Sequence, residues 1–92
     1  MKIVWSAAAW ADVGRIYAFL AELDLEAADQ AFDKLTNAPS LLLDFPRRGT
    51  RVSSVGNVEI REFRIGNYII RYGLNRDEIF VLRFFHGRED RA

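Results

Sequence analysis

The alternation of apolar and polar positions changes period once along this chain, and the change divides it into a helical half and a stranded half. Lys2 to Trp5 is a short strand-type run. Ser6 follows it, placed to cap a helix, because its hydroxyl can accept from the free N–H groups of a first turn. From Ala7 to about Leu23 the residues Trp10, Val13, Tyr17 and Leu20 recur at helical spacing, and Ile16, Phe19 and Leu23 widen the stripe. Gly14 weakens that helix by about 1 kcal/mol relative to Ala, which points to close packing there. Asp24 can cap a second helix with Ala28, Ala31, Phe32 and Leu35 inside and Glu26, Asp29, Asp33 and Lys34 in water. So short a connection predicts an antiparallel helical hairpin. Pro39 predicts a break near Leu35, with a further kinked turn over Ser40 to Phe45.

Pro46-Arg47-Arg48-Gly49-Thr50-Arg51 is loop chemistry, and beyond it the period becomes two. Val58 to Ile65, Tyr68 to Leu74 and Ile79 to Phe85 are predicted strands, joined at Gly66-Asn67 and at Asn75-Arg76-Asp77 into an antiparallel meander. The apolar phase slips between Ile60 and Phe63, which predicts a bulge or late strand start around Arg61-Glu62. In the last two strands both faces carry large apolar groups: Tyr68, Ile70 and Tyr72 alternate with Ile69, and Phe80, Leu82 and Phe84 alternate with Val81 and Phe85. One helical hairpin can cover only one face, so the other face or the open edge is a candidate docking surface. The expected fold class is α+β: an N-terminal strand, then a two-helix hairpin packed on an antiparallel sheet of three to five strands.

Composition narrows the picture. Ninety-two residues make one domain, 1–92, whose small core leaves apolar surface near the outside, so a partner protein is expected. Without cysteine there is neither a disulfide framework nor a Cys-based metal site, and no cofactor or metal is expected. No apolar run has the length of a signal-peptide core or a membrane span, so a soluble, intracellular protein with no membrane association is expected. The zero net charge hides a division: three bases against seven acids up to Phe45, ten bases against six acids from Pro46 on, all ten of them arginine. Arginine suits bidentate contact with carboxylate or phosphate.

The chemistry on offer is limited. There is no phosphate-cradling glycine motif, and Ser53-Ser54 have no base that the sequence places beside them. His86, the only histidine, is either a general acid or base or a hydrogen-bonding plug at a strand end. Arg61, Arg64, Arg71 and Arg83 stand on strands among apolar neighbours, either as an anion-binding array or paired across strands with Glu59, Glu62, Asp77 and Glu78. Arg47, Arg48 and Arg51 beside Gly49 form a solvated loop or a weak nucleic-acid footprint. The stripe Trp10, Val13, Tyr17, Leu20 is core, and its outer members are candidates to hold a partner helix.

Together, Phe45-Pro46-x-x-Gly49, Arg61-x-Phe63-Arg64-x-Gly66-x-Tyr68-x-Ile70-x-Tyr72 and Val81-Leu82-Arg83-x-x-His86-Gly87-Arg88-x-Asp90 resemble the RelE/ParE toxins of bacterial type II toxin–antitoxin systems, over nearly the whole chain. The resemblance implies a cytoplasmic bacterial toxin, associated with growth arrest and plasmid stabilisation. It also implies a cognate ParD-like or RelB-like antitoxin, whose extended and helical C-terminal segment wraps the toxin and silences it. The RelE branch cleaves mRNA on the ribosome with basic side chains, but two lysine positions of its strand motif are Ile60 and Glu62 here, and an arginine position is Ile69. A zero net charge also fits a polyanionic ribosome poorly. The ending His86-Gly87-Arg88-Glu89-Asp90 is closer to the ParE branch, which poisons DNA gyrase by binding and needs no catalytic residue. Arg61, His86, Arg88 and Asp90 match positions of that branch, so Arg61, Arg64, Tyr68, Tyr72, Arg83, His86, Arg88 and Asp90 are the candidate target or antitoxin contacts, and the helical stripe Trp10, Val13, Tyr17 and Leu20 is the candidate antitoxin groove. No sequence-specific DNA binding by the toxin alone is expected. The alternatives are a RelE-like endonuclease, with Arg71 and His86 as catalytic candidates, and an inactive member that only binds antitoxin.

Overall fold

The structure, a computed structural model, describes residues 1–87. Strand β1 (Lys2–Trp5) leads into helices α1 (Ala7–Leu23) and α2 (Leu25–Asp44), followed by β2 (Thr50–Val55), β3 (Val58–Ile65), β4 (Tyr68–Leu74) and β5 (Glu78–His86). The Ser6 hydroxyl accepts from Ala9 N–H at 3.0 Å, so the predicted cap forms. Asp24 closes α1 with its backbone N–H on Leu20 O and opens α2 with its side chain, which accepts from Glu26 and Ala27 N–H. One residue thus makes the hairpin turn.

The predicted break at Pro39 does not occur: α2 runs without interruption from Leu25 to Asp44. Pro39 removes one helical hydrogen bond, but Leu35, Ala38, Pro39 and Leu42 are all buried, and this packing outweighs the lost bond. A second departure is β2, in a stretch expected to be loop up to Arg51 and left unassigned beyond it.

The sheet has five strands in the order β1-β5-β4-β3-β2. β2 to β5 form the expected antiparallel meander, but β1 pairs with β5 in parallel, Lys2 opposite Glu78 through Trp5 opposite Val81, so the sheet is mixed. β3 itself pairs regularly with β4 from Glu59 to Ile65, so the expected bulge at Arg61-Glu62 is not there. The irregularity falls on the facing strand, between Arg51 and Ser53 of β2.

A further register shift separates Arg71 from Tyr72 opposite Arg83 and Val81, leaving Leu82 as the extra residue of β5. It re-phases the strand: Ile79, Val81 and Phe84 enter the core together, which strict alternation along β5 would not allow. Ala9, Val13 and Ile16 of α1 and Ala31, Leu35, Ala38 and Leu42 of α2 meet these residues with Ile70, Tyr72 and Leu74 of β4. Among the described residues, no helix lies over the opposite face.

Candidate functional site

Three surfaces gather the residues that carry chemistry. The uncovered sheet face is the first. By register Ile69 lies opposite Phe85 on it, and both are buried although no helix among the described residues covers them. Over Phe85 the cover is arginine: the guanidinium carbons of Arg71 and Arg83 stand 5.0 and 5.2 Å from its ring centroid. Arg71 is held by Glu62 on the neighbouring strand, Nε to Oε2 at 2.9 Å. Arg83 is held by Asp12 of α1, Nε donating to Oδ2 at 2.7 Å and its terminal nitrogen to Oδ1 at 2.9 Å.

Asp12 is the functional-looking residue that the sequence reading passed over. It is 3% exposed, and its Oδ2 also accepts from Phe84 N–H at 2.9 Å. The position follows from the strand lengths: β1 pairs with β5 only to Val81, and beyond that point Ser6 and Asp12 satisfy the edge, Ser6 donating from its N–H to Val81 O and from its hydroxyl to Leu82 O. Burial alone would raise the Asp12 carboxyl, but the hydrogen bonds from Arg83 and Phe84, with the charges of Arg83 and Arg15, outweigh it and hold the group below its usual range. The signal was readable, since Asp12 lies three residues after Ala9 and four before Ile16, on the inward stripe of α1.

The second surface is a cleft of about 580 Å³ between α1 and the ends of β4 and β5. Ile16, Phe19 and Leu20 form its apolar wall, and Arg15, Asn67, Tyr68 and His86 its polar one. His86 meets Tyr68 edge to face, with ring centroids 5.7 Å apart, and burial raises the Tyr68 phenol. Arg64 is exposed and its guanidinium lies against Gly87.

The third is a groove of about 480 Å³ along the helical hairpin, walled by Trp10, Val13, Gly14, Tyr17, Asp29 and Phe32. Trp10 is half exposed and stacks on Trp5 at 4.1 Å, while Val13 forms the buried floor. Tyr17 donates to Asp29 Oδ1 at 2.9 Å, and that bond raises its phenol, helped by burial and by the Asp29 charge. Leu20, expected in the same groove, lines the second cleft instead.

Tyr72 and Arg61 have work inside the fold. Tyr72 is fully buried; its hydroxyl donates to Pro46 O at 2.6 Å and accepts from Gly49 N–H at 3.1 Å. Burial raises the Tyr72 phenol, partly offset by the Gly49 bond and by the charges of Arg61 and Arg48. Arg61 donates to Gly49 O at 2.6 Å and to Glu59 Oε1. A Cβ on Gly49 would stand 2.8 Å from both Glu62 O and the Tyr72 hydroxyl, so the glycine of Phe45-Pro46-x-x-Gly49 is demanded by this close approach. Beside the loop a cleft of about 660 Å³ is walled by Phe45, Arg48 and Phe63, with the Arg48 guanidinium 5.3 Å from each ring. Arg88 and Asp90 lie outside the described residues. Among the described residues no helix is long and apolar enough to cross a membrane, and no three His, Asp or Glu side chains converge as a metal site.

The family model described as the ParE toxin of the type II toxin–antitoxin system parDE matches residues 3–91. Among solved structures, one titled "Chromosomal ParDE TA system from P. aeruginosa" has a similar fold, with a TM-score of 0.72 at 24% identity, covering 94% of this chain and 95% of that one. No curated protein matches the chain.

Proposed function

The chain belongs to the ParE toxin family of type II toxin–antitoxin systems, and on that premise we propose that it is held silent by a cognate antitoxin and, once released, arrests growth by binding and poisoning DNA gyrase in the bacterial cytoplasm. The pairing of three of its strand arginines is the observation that favours binding over RNA cleavage. Arg61 is engaged by Glu59, Arg71 by Glu62 and Arg83 by Asp12. Stabilising a phosphoryl transition state calls for cations aimed at the developing charge, whereas these three cations each meet a carboxylate of their own fold. Glu62 also sets a negative charge on the uncovered face, which repels phosphate. Such a surface suits a protein target, where arginine and aromatic residues dominate affinity.

In this reading the hairpin groove of Trp10, Val13 and Tyr17 seats a helix of the antitoxin, and Arg64, Tyr68 and His86 with Arg88 and Asp90 contact the target or the antitoxin. A purified gyrase supercoiling and cleavage assay, run beside cell-free translation of a defined mRNA, tests it. Linear DNA accumulating with translation intact is expected. Cut mRNA with intact supercoiling would overturn the reading in favour of a RelE-like endonuclease, with Arg71 and His86 the first residues to change. Neither effect would leave a member that only binds antitoxin.

A further inference from the structure

β2 is the last strand of the sheet and all six of its residues, Thr50 to Val55, are exposed. One side of this strand pairs with β3; on the other, among the described residues, no strand lies against its backbone N–H and C=O groups. The opposite edge, β1, has four residues, three of them partly covered, and α1 starts immediately after it. An edge this open is a template for another strand unless it carries a blocking device. β2 has no lysine or proline, and its bulge leaves the pairing from Ser53 to Val55 intact.

The charges along this edge are also incomplete. Arg51 stands directly across from Arg61, a like-charge pairing that disfavours the sheet. Arg61 has Glu59, but Arg51 has no carboxylate among the described residues, and Arg48 has only the rings of Phe45 and Phe63. Among the described residues, then, two cations without a carboxylate lie on and beside an edge strand, next to an open cleft with aromatic walls.

We propose that β2 is the docking edge for an extended, acidic segment of the antitoxin, which adds to the sheet as another strand, sets carboxylates against Arg48 and Arg51, and places an apolar side chain in the cleft of Phe45 and Phe63. The inference rests on the reading that an antitoxin covers this toxin. Main-chain bonds supply affinity and the flanking charges fix register, as strand addition requires.

Hydrogen exchange on the free toxin and on the co-purified toxin–antitoxin complex reads the edge directly: the β2 amides that point away from β3 become protected in the complex. Arg51→Glu supplies the independent measurement. The new carboxylate faces Arg61, so the unfolding midpoint of the free toxin holds or rises, while antitoxin affinity falls about tenfold and its salt dependence weakens. Arg51→Lys retains most of the affinity. If antitoxin binds but the β2 amides exchange as before and Arg51→Glu binds normally, the docking edge is wrong and the antitoxin reading stands. If no antitoxin binds the wild-type toxin, both fall.

Discussion

Asp12 shows how much one side chain can decide in a domain of this size. Its carboxylate takes donors from Arg83 and from the Phe84 backbone, joining α1 to the edge of β5 and holding Arg83 in place beside Phe85. Asp12→Asn removes the charge and forces one donor to go unmet. A fully buried pair broken in this way loses about 3–5 kcal/mol, and the 45% exposure of the Arg83 side chain brings the expected loss down to about 2–3 kcal/mol. The pH dependence has a definite sign. The folded carboxyl is depressed relative to an unfolded aspartate near about 3.9, so its stabilisation is fully present above that value and is lost as pH falls through the lower, folded value. Denaturant midpoints at about pH 6 and about pH 3 should therefore drop by more in the wild type than in Asp12→Asn. Equal drops would show that Asp12 does not contribute to the acid limb.

At the scale of elements, what could be read from the sequence was what local chemistry governs. Ser6 and Asp24 cap where their hydroxyl and carboxylate predict, and Gly66-Asn67 turns β3 into β4 with Gly66 at a φ of 58°. What could not be read depends on partners distant in the chain. Pro39 stays helical because of what packs on it, and β2 is a strand because β3 offers an edge. The parallel pairing of β1 was hidden for the same reason, as 76 positions separate Lys2 from Glu78. Of the candidate site, Trp10, Tyr17, Tyr68 and His86 line clefts, and Tyr72 lies inside, since alternation alone does not say which face of a doubly apolar strand meets the helices. Ser6 lies on both sides of this divide, because besides capping α1 its hydroxyl reaches Leu82 O at 2.8 Å, just where β5 bulges. Ser6→Ala should thus cost about 2 kcal/mol, the upper end for a lost cap, measured by denaturant unfolding. A loss of only a few tenths would mean that water replaces the Leu82 bond and that the bulge holds itself.

For the molecule as a whole, Gly14 is where stability and the proposed seating of the antitoxin in the hairpin groove can be tested together. Close packing inside the chain, the reason its presence in a helix first suggested, is not the explanation: outside its own helix backbone, nothing stands within 4 Å of where a Cβ would be. The space belongs to the groove, between Trp10 and Tyr17 and facing Phe32. A Cβ there meets nothing within 4 Å in the free toxin and leucine raises helix propensity, so Gly14→Leu should stabilise the isolated protein by about 0.5–1 kcal/mol. The same side chain fills the volume in which an antitoxin helix would seat. Affinity for the antitoxin should then fall by about tenfold or more, and cells carrying Gly14→Leu should stop growing even while the antitoxin is co-expressed. Because the free toxin gains stability, a loss of neutralisation cannot come from misfolding, and titrating antitoxin against wild type and variant isolates the groove. Undiminished neutralisation would move the antitoxin's helix off α1 and leave Trp10 and Tyr17 to pack the hairpin alone.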